Sequence, residues 1–290
     1  MKRLVLISLA VLIVGSLAIG CAPDEEEGEE GFGGEIVGID AGAGVMEATE
    51  SAIDTYDNLA DFDLVESSDA AMVAELDSHY QDEEWVAVTG WTPHWKFAEY
   101  DLKFLEDPEG VYGDEETINA LVREGLGDDE PVAHEFFDEY FMTDDEISEV
   151  MELINETGDE EGSAEEWVED NMDVVEEWLP EDDGGGETIE LGYIEWECAI
   201  AQSYTAQYIL EEHVGYEVDI ISADAGPIYS DIASGDTDAM VASWQPITQA
   251  SYIEEYGDDL EDLGPVYEGA RIGMVVPEYV DIDSIEDIEG

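Results

Sequence analysis

Apolar positions along the chain switch between two spacings. Glu35-Ile36-Val37-Gly38-Ile39 is a compact β-branched run and predicts a strand, while Val45 to Tyr56 repeats at three and four residues and predicts a helix. Asp63-Leu64-Val65 predicts a short strand, followed by a helix over Ala70 to Tyr80 with Ser67 or Ser68 as its N-cap. A further strand begins at Trp85 and breaks at Gly90 and Pro93. From Asp114 to Trp178 the spacing is helical, predicting helices over Thr117–Gly125, Val132–Phe141, Asp145–Ile154 and Ala164–Leu179. Pro180 to Gly186 interrupts the pattern as a linker. Strands over Thr188–Tyr193, Glu217–Ser222, Ala239–Ser243 and Arg271–Pro277 then alternate with helices over Ala199–Glu212 and Ile228–Ala233. Strands alternating with helices on both sides of a linker predict two α/β lobes with a ligand cleft between them.

The first twenty residues do not belong to that pattern. Lys2 and Arg3 precede an apolar run from Leu4 to Leu17 and small residues up to Cys21, the layout of a secretory signal rather than a membrane span. Ala18-Ile19-Gly20-Cys21 reads as a lipobox, although Ala18 stands where Leu is usual. Cys21 would then be acylated, and residues 21–33 form an acidic tether. Lobe I is expected over 34–105 plus 270–290, and lobe II over 106–269, with the Gly-rich linker near 181–187. Cys198 has no expected partner and is read as a buried thiol.

Charge changes the picture most. The chain has 80 acidic and six basic side chains, a net charge of −74. Self-repulsion on this scale opposes folding in dilute buffer, whereas at molar salt the Debye length falls to about 3 Å. The composition therefore reads as adaptation to brine. A hydrophobic content of 44% argues against disorder, and the sign of the charge excludes nucleic acid and anionic membrane surfaces as partners of the folded body.

Three strands end in tryptophan. Trp91 follows Gly90 and precedes Pro93, Trp196 follows the strand ending at Tyr193, and Trp244 closes Met240-Val241-Ala242-Ser243 just before Pro246. A Trp so placed either packs in the core or faces a ligand; three at equivalent positions from both halves suggest an aromatic cage. Such a cage suits a quaternary ammonium, which has no N–H to donate and is held by indole quadrupoles and dispersion. Gly38 to Val45, glycine-rich between a strand and a helix, is either a tight turn or a place where backbone N–H groups meet an anion. It lacks the Lys-Ser/Thr of a phosphate loop, and Glu47 stands at the third-glycine position of a dinucleotide fingerprint.

The segments Gly38-Ile39-Asp40-Ala41-Gly42-Ala43-Gly44, Thr89-Gly90-Trp91-Thr92-Pro93-His94-Trp95, Tyr100 to Pro108 and Gly273-Met274-Val275-Val276-Pro277-Glu278-Tyr279 resemble the glycine betaine-binding proteins, substrate-binding subunits of compatible-solute ABC importers. The resemblance covers about residues 33–290, with the two halves in the exchanged order found in one branch of the family. It implies an α/β, two-lobed periplasmic-binding-protein-like fold of type II. It implies that Trp91, Trp196 and Trp244 surround a trimethylammonium and that the amides of Gly44 and Val45 hold the ligand carboxylate. A His five positions after the third Trp completes that site in the branch; here it is Gln249, whose amide can still donate.

The expected function is extracytoplasmic capture of glycine betaine, or a close analogue, by a lipid-anchored protein that delivers it to an ABC permease and its ATPase subunit. Choline or carnitine are the alternatives within that class, and a secreted hydrolase with a Trp-lined cleft is the alternative outside it. No HExxH, GxSxG or usable Cys/His pair is present, so no catalytic residue, metal or cofactor is expected. His94 is read as a structural hydrogen-bonding residue, and His79, His134 and His213 as surface groups.

Overall fold

A computed structural model describes residues 31–289. The signal, Cys21 and most of the tether lie outside the described residues. In chain order the elements begin with β1 (Glu35–Val37), α1 (Gly44–Thr55), β2 (Asp63–Val65), α2 (Asp69–Asp82) and β3 (Val88–Thr92). A short α3 (Lys96–Glu99), β4 (Leu102–Phe104) and β5 (Glu116–Arg123) follow. The helical stretch comprises α4 (Leu126–Asp129), α5 (Pro131–Glu139), α6 (Asp144–Thr157), α7 (Glu160–Asp170) and α8 (Met172–Val175). The remainder alternates: β6 (Thr188–Tyr193), α9 (Glu197–Ile209), β7 (Glu217–Ser222), α10 (Ala225–Ser234), β8 (Ala239–Gln245), α11 (Ala250–Tyr256) and β9 (Leu260–Pro277).

The strands form two halves with the same internal order. In the first, β2, β1 and β3 run parallel, and β9 lies antiparallel between β3 and β4. In the second, β7, β6 and β8 run parallel, and β5 lies antiparallel between β8 and β9. Strand β9 serves both, pairing with β5 through Leu260–Ala270 and with β3 and β4 through Arg271–Pro277. This is the two-lobed, type II periplasmic-binding-protein-like α/β fold that the sequence led us to expect. Within each half, the strand–helix turns put the ends of the parallel strands at the boundary between the halves, where ligands sit in open α/β sheets.

Local sequence explains most elements. Ser68 caps α2 by accepting from Ala71 N–H at 3.2 Å, and Thr143 and Glu146 close a reciprocal capping box on α6. Two expectations need correction. Residues 117–125 are not a helix: Glu116–Arg123 is strand β5, with Ile118, Ala120, Leu121 and Val122 all buried between β8 and β9. A strand buried on both faces reads as a continuous apolar run, which periodicity does not separate from a buried helix. The helix expected over 164–179 instead breaks at Asn171, whose side-chain amide donates to Trp167 O at 2.8 Å and ends α7.

Candidate functional site

Each of the three strand-end tryptophans is fixed by a different local device. Trp91 is the fourth residue of β3, beside Gly90. A Cβ on Gly90 would meet the Val275 side chain at 2.2 Å, so glycine there lets β9 pack against β3. Trp196 is the N-cap residue of α9, extended at φ −104° and ψ 139°. Trp244 lies in β8 ahead of the cis Gln245–Pro246 bond, as Trp91 lies ahead of the cis Thr92–Pro93 bond. All three are at least 95% buried.

These side chains converge. Trp91, Trp196 and Trp244, with Ile39, Ala43, Gly44, Val45, Thr248 and Ile272, line one narrow cavity. None of these residues carries a charged side chain. The indole N–H groups of Trp91 and Trp244 have no hydrogen-bond partner among the described residues, and that of Trp196 donates to Asp40 Oδ1 at 3.3 Å. The Trp196 bond ties a wall from the second half of the fold to the first. Burial pushes the Asp40 carboxyl up from its ordinary range.

One end of the cavity is polar through its backbone alone. Gly44 and Val45 are the first two residues of α1, whose N-cap Ala43 offers no side-chain cap. Their N–H groups have no partner among the described residues, as the opening of a helix dictates. With the helix dipole they form an anion-receptive end to an otherwise apolar box. Gly44 is held against the backbone of Thr248: a Cβ there would lie 1.8 Å from Thr248 O. The Thr248 loop is itself held by Glu116, a buried residue whose Oε2 accepts the N–H groups of Ile247 and Thr248, both at 3.0 Å, and whose Oε1 accepts the Thr248 hydroxyl. Tyr252 OH donates to Gly42 O at 3.0 Å, a second tie across the boundary.

Gln249 does not line the cavity. It lies wholly buried behind Trp244, with Oε1 accepting Trp244 N–H and Tyr229 OH, both at 2.8 Å. Its Nε2 has no partner among the described residues and remains a donor. Sequence reasoning thus named five of the lining residues. Ile39 and Ala43 lie within the glycine-rich segment it had quoted, whereas nothing marked Thr248 or Ile272. Glu116 and Asp69 were hidden among 80 acidic residues.

Behind Trp91 sits a buried polar cluster. Lys96 lies with its ammonium 4.1 Å from the Trp91 ring centroid, and burial brings its pKa down to about 8 against the attraction of Asp69. Lys96 N–H donates to His94 Nδ1 at 3.1 Å, so the His94 proton is on Nε2, which donates to Asp69 Oδ1 at 3.0 Å. Burial holds His94 down at about 4, so it is neutral and structural at pH 7, as the sequence suggested. Burial alone would raise Asp69, but the His94 and Lys96 contacts outweigh it and lower its pKa. Cys198 is a buried free thiol, pushed up to about 12 by burial. Among the described residues no group of His, Cys, Asp and Glu has the arrangement of a metal site.

Comparison with known proteins gives a consistent picture. The family described as the substrate binding domain of the ABC-type glycine betaine transport system matches residues 22–170 and 187–290. The glycine betaine/carnitine transport binding protein GbuC of Listeria monocytogenes is 40% identical over 292 residues, covering 97% of this chain and 96% of the relative. Lactococcal OpuAC, solved closed with glycine betaine, is 39% identical with a TM-score of 0.49, over 51% of this chain and 58% of its own. The glycine betaine and L-proline-binding protein ProX of Borrelia burgdorferi is 39% identical with a TM-score of 0.48, over 52% and 57%. These two matches span just over half the length of each solved structure.

Proposed function

The chain belongs to the family of substrate-binding domains of ABC-type glycine betaine transport systems, and from that premise we propose that it captures glycine betaine outside the cell and delivers it to an ABC permease and its ATPase. The observation that carries this reading is the cavity: three indoles from both halves of the fold, no charged side chain, and unpartnered helix N–H groups at one end. The trimethylammonium lies among Trp91, Trp196 and Trp244, and the carboxylate meets the amides of Gly44 and Val45. Gln249 lies behind Trp244 in this structure, and its unspent Nε2 turns to the same carboxylate when the ligand is bound.

Three desolvated indole faces at about 2 kcal/mol each approach roughly 6 kcal/mol. Charge-assisted hydrogen bonds to the carboxylate add about 1.5–3 kcal/mol each. With one such bond from each of Gly44, Val45 and Gln249 the gain is roughly 10–15 kcal/mol, and after ordering costs a Kd in the micromolar range, about −8 kcal/mol, results. Sodium, strongly hydrated and abundant in brine, gains nothing from an apolar box. The lobes divide as 34–105 plus 270–290 and 106–269, Cys21 carries the lipid anchor that holds the protein at the outer face of the membrane, and the protein does no chemistry on its ligand.

Carnitine is the second reading, because the Listeria relative is named for both ligands. The narrow cavity favours the smaller molecule. A thermal-shift panel of glycine betaine, proline betaine, carnitine, choline and an oligosaccharide, in molar salt, tests the proposal. Stabilisation by glycine betaine at micromolar concentration is expected. Stabilisation by the oligosaccharide alone refutes it.

A further inference from the structure

Asp69 is the most deeply buried acidic side chain near the cage, 2% exposed, yet it touches none of the cavity. It opens α2 in the first half of the fold, and its Oδ1 is taken by the His94 Nε2–H. Its other oxygen, Oδ2, crosses the boundary and accepts the N–H of Glu197 at 3.2 Å. Glu197 is the first residue of α9 and directly follows the cage residue Trp196. That N–H belongs to the helix opening and has no intrahelical partner, so only the other half of the fold supplies its acceptor. A carboxylate at this end also meets the positive pole of α9.

We propose that Asp69 is a positioning residue for ligand capture: it latches the start of α9 onto the first half when the protein closes, and so sets Trp196 as the third wall of the cage. His94, oriented by the Lys96 backbone, holds the carboxylate in the latching rotamer. The contact forms only on closure, so it strengthens binding without touching the ligand. This inference rests on the reading of the cavity as a betaine site.

Two substitutions at Glu197 isolate the latch. Glu197→Ala keeps the N–H and removes the side chain. Glu197→Pro removes the N–H as well, at a position that accepts proline, since it opens a helix and the preceding Trp196 is already extended. In molar salt the Ala variant should bind glycine betaine within about threefold of wild type. The Pro variant should bind roughly ten- to a hundredfold more weakly, the worth of a hydrogen bond to a charged group. The loss should appear in the dissociation rate, be the same factor for every ligand that binds, and leave the melting temperature without ligand unchanged. Adding Asp69→Asn to the Pro variant should weaken binding no further, whereas Asp69→Asn alone should weaken it. If Glu197→Pro does not fold, Asp69→Asn alone decides, and unchanged affinity there overturns the latch. A Pro variant that binds as tightly as the Ala variant also overturns the latch alone. A wild type that takes no quaternary ammonium ligand overturns the latch together with the betaine reading.

Discussion

Gly44→Ala places one methyl group where the two walls of the cavity meet. In this structure that carbon would lie 1.8 Å from the carbonyl oxygen of Thr248 and 2.6 Å from its carbonyl carbon. The obstructing atoms are backbone, and the Thr248 loop is pinned by three hydrogen bonds to Glu116, so the loop does not simply give way. Reaching even a tight contact of 3.0 Å requires the walls to part by roughly 1 Å. An opening of that size forfeits a quarter to a half of the dispersion at each face, or about 1.5–3 kcal/mol across three indoles. It also lengthens the amide contacts to the carboxylate, costing about 1.5 kcal/mol more. The expected loss is therefore about 3–4.5 kcal/mol, a Kd roughly a hundred- to a thousandfold higher. The fold itself should not suffer, since Ala is a better helix residue than Gly and α1 begins here. Isothermal titration with glycine betaine in molar salt, beside a melt without ligand, measures both halves of the claim. A Gly44→Ala protein that folds normally and binds within threefold of wild type would refute the reasoning.

Three further predictions follow from other parts of the structure. Gln249→Ala should weaken glycine betaine by roughly ten- to a hundredfold and choline far less, because choline lacks the carboxylate; equal affinity for betaine in a folded variant removes Gln249 from the site. The folded domain should melt at a much higher temperature in molar salt than in dilute buffer. It has few cations to offset its acids: Arg123 and Lys103 are paired, Lys96 is buried and Arg271 lies over Phe104. Equal melting temperatures in the two conditions would contradict adaptation to brine. Finally, burial lowers His94 from 6.5 to about 4, so the unfolded chain binds the extra proton between those values. The stability His94 contributes is complete above pH 6.5 and lost as pH falls toward 4, by on the order of 3 kcal/mol at most. The wild-type melting temperature should therefore drop more steeply than that of His94→Gln across this window, and parallel curves would show that His94 is not held neutral.

The indole lining of the cavity was legible in the sequence because that side chain is rare there. Tryptophan is scarce, and Trp91, Trp196 and Trp244 each stand at or just past the end of a strand, a placement that survives any error in the lengths of the elements. Gly44 and Val45 came from the family resemblance, since the glycine-rich turn by itself left a tight turn and an anion site both open. Asp69 and Glu116 perform specific work but are two acids among 80, and an acid on a helix or strand in such a chain reads as a solvated face. The apolar run of β5 was ambiguous because it is buried on both sides. The first part of β9 escaped for the opposite reason. Leu260–Ala270 is an edge strand of its half, and its Glu261, Asp262, Gly264, Pro265 and Glu268 are the residues by which exposed edges avoid further pairing.

If the proposed function holds, this cavity binds a quaternary ammonium on tryptophan faces. Calorimetric titration of glycine betaine into the wild-type protein and the Trp196→Ala variant, side by side in molar salt, tests it most directly. Wild type should give a one-to-one isotherm with a micromolar Kd. The variant should keep its fold and show a Kd roughly thirtyfold higher, the share of one desolvated indole at about 2 kcal/mol. No binding heat with wild type, or equal affinity in the folded variant, would contradict it.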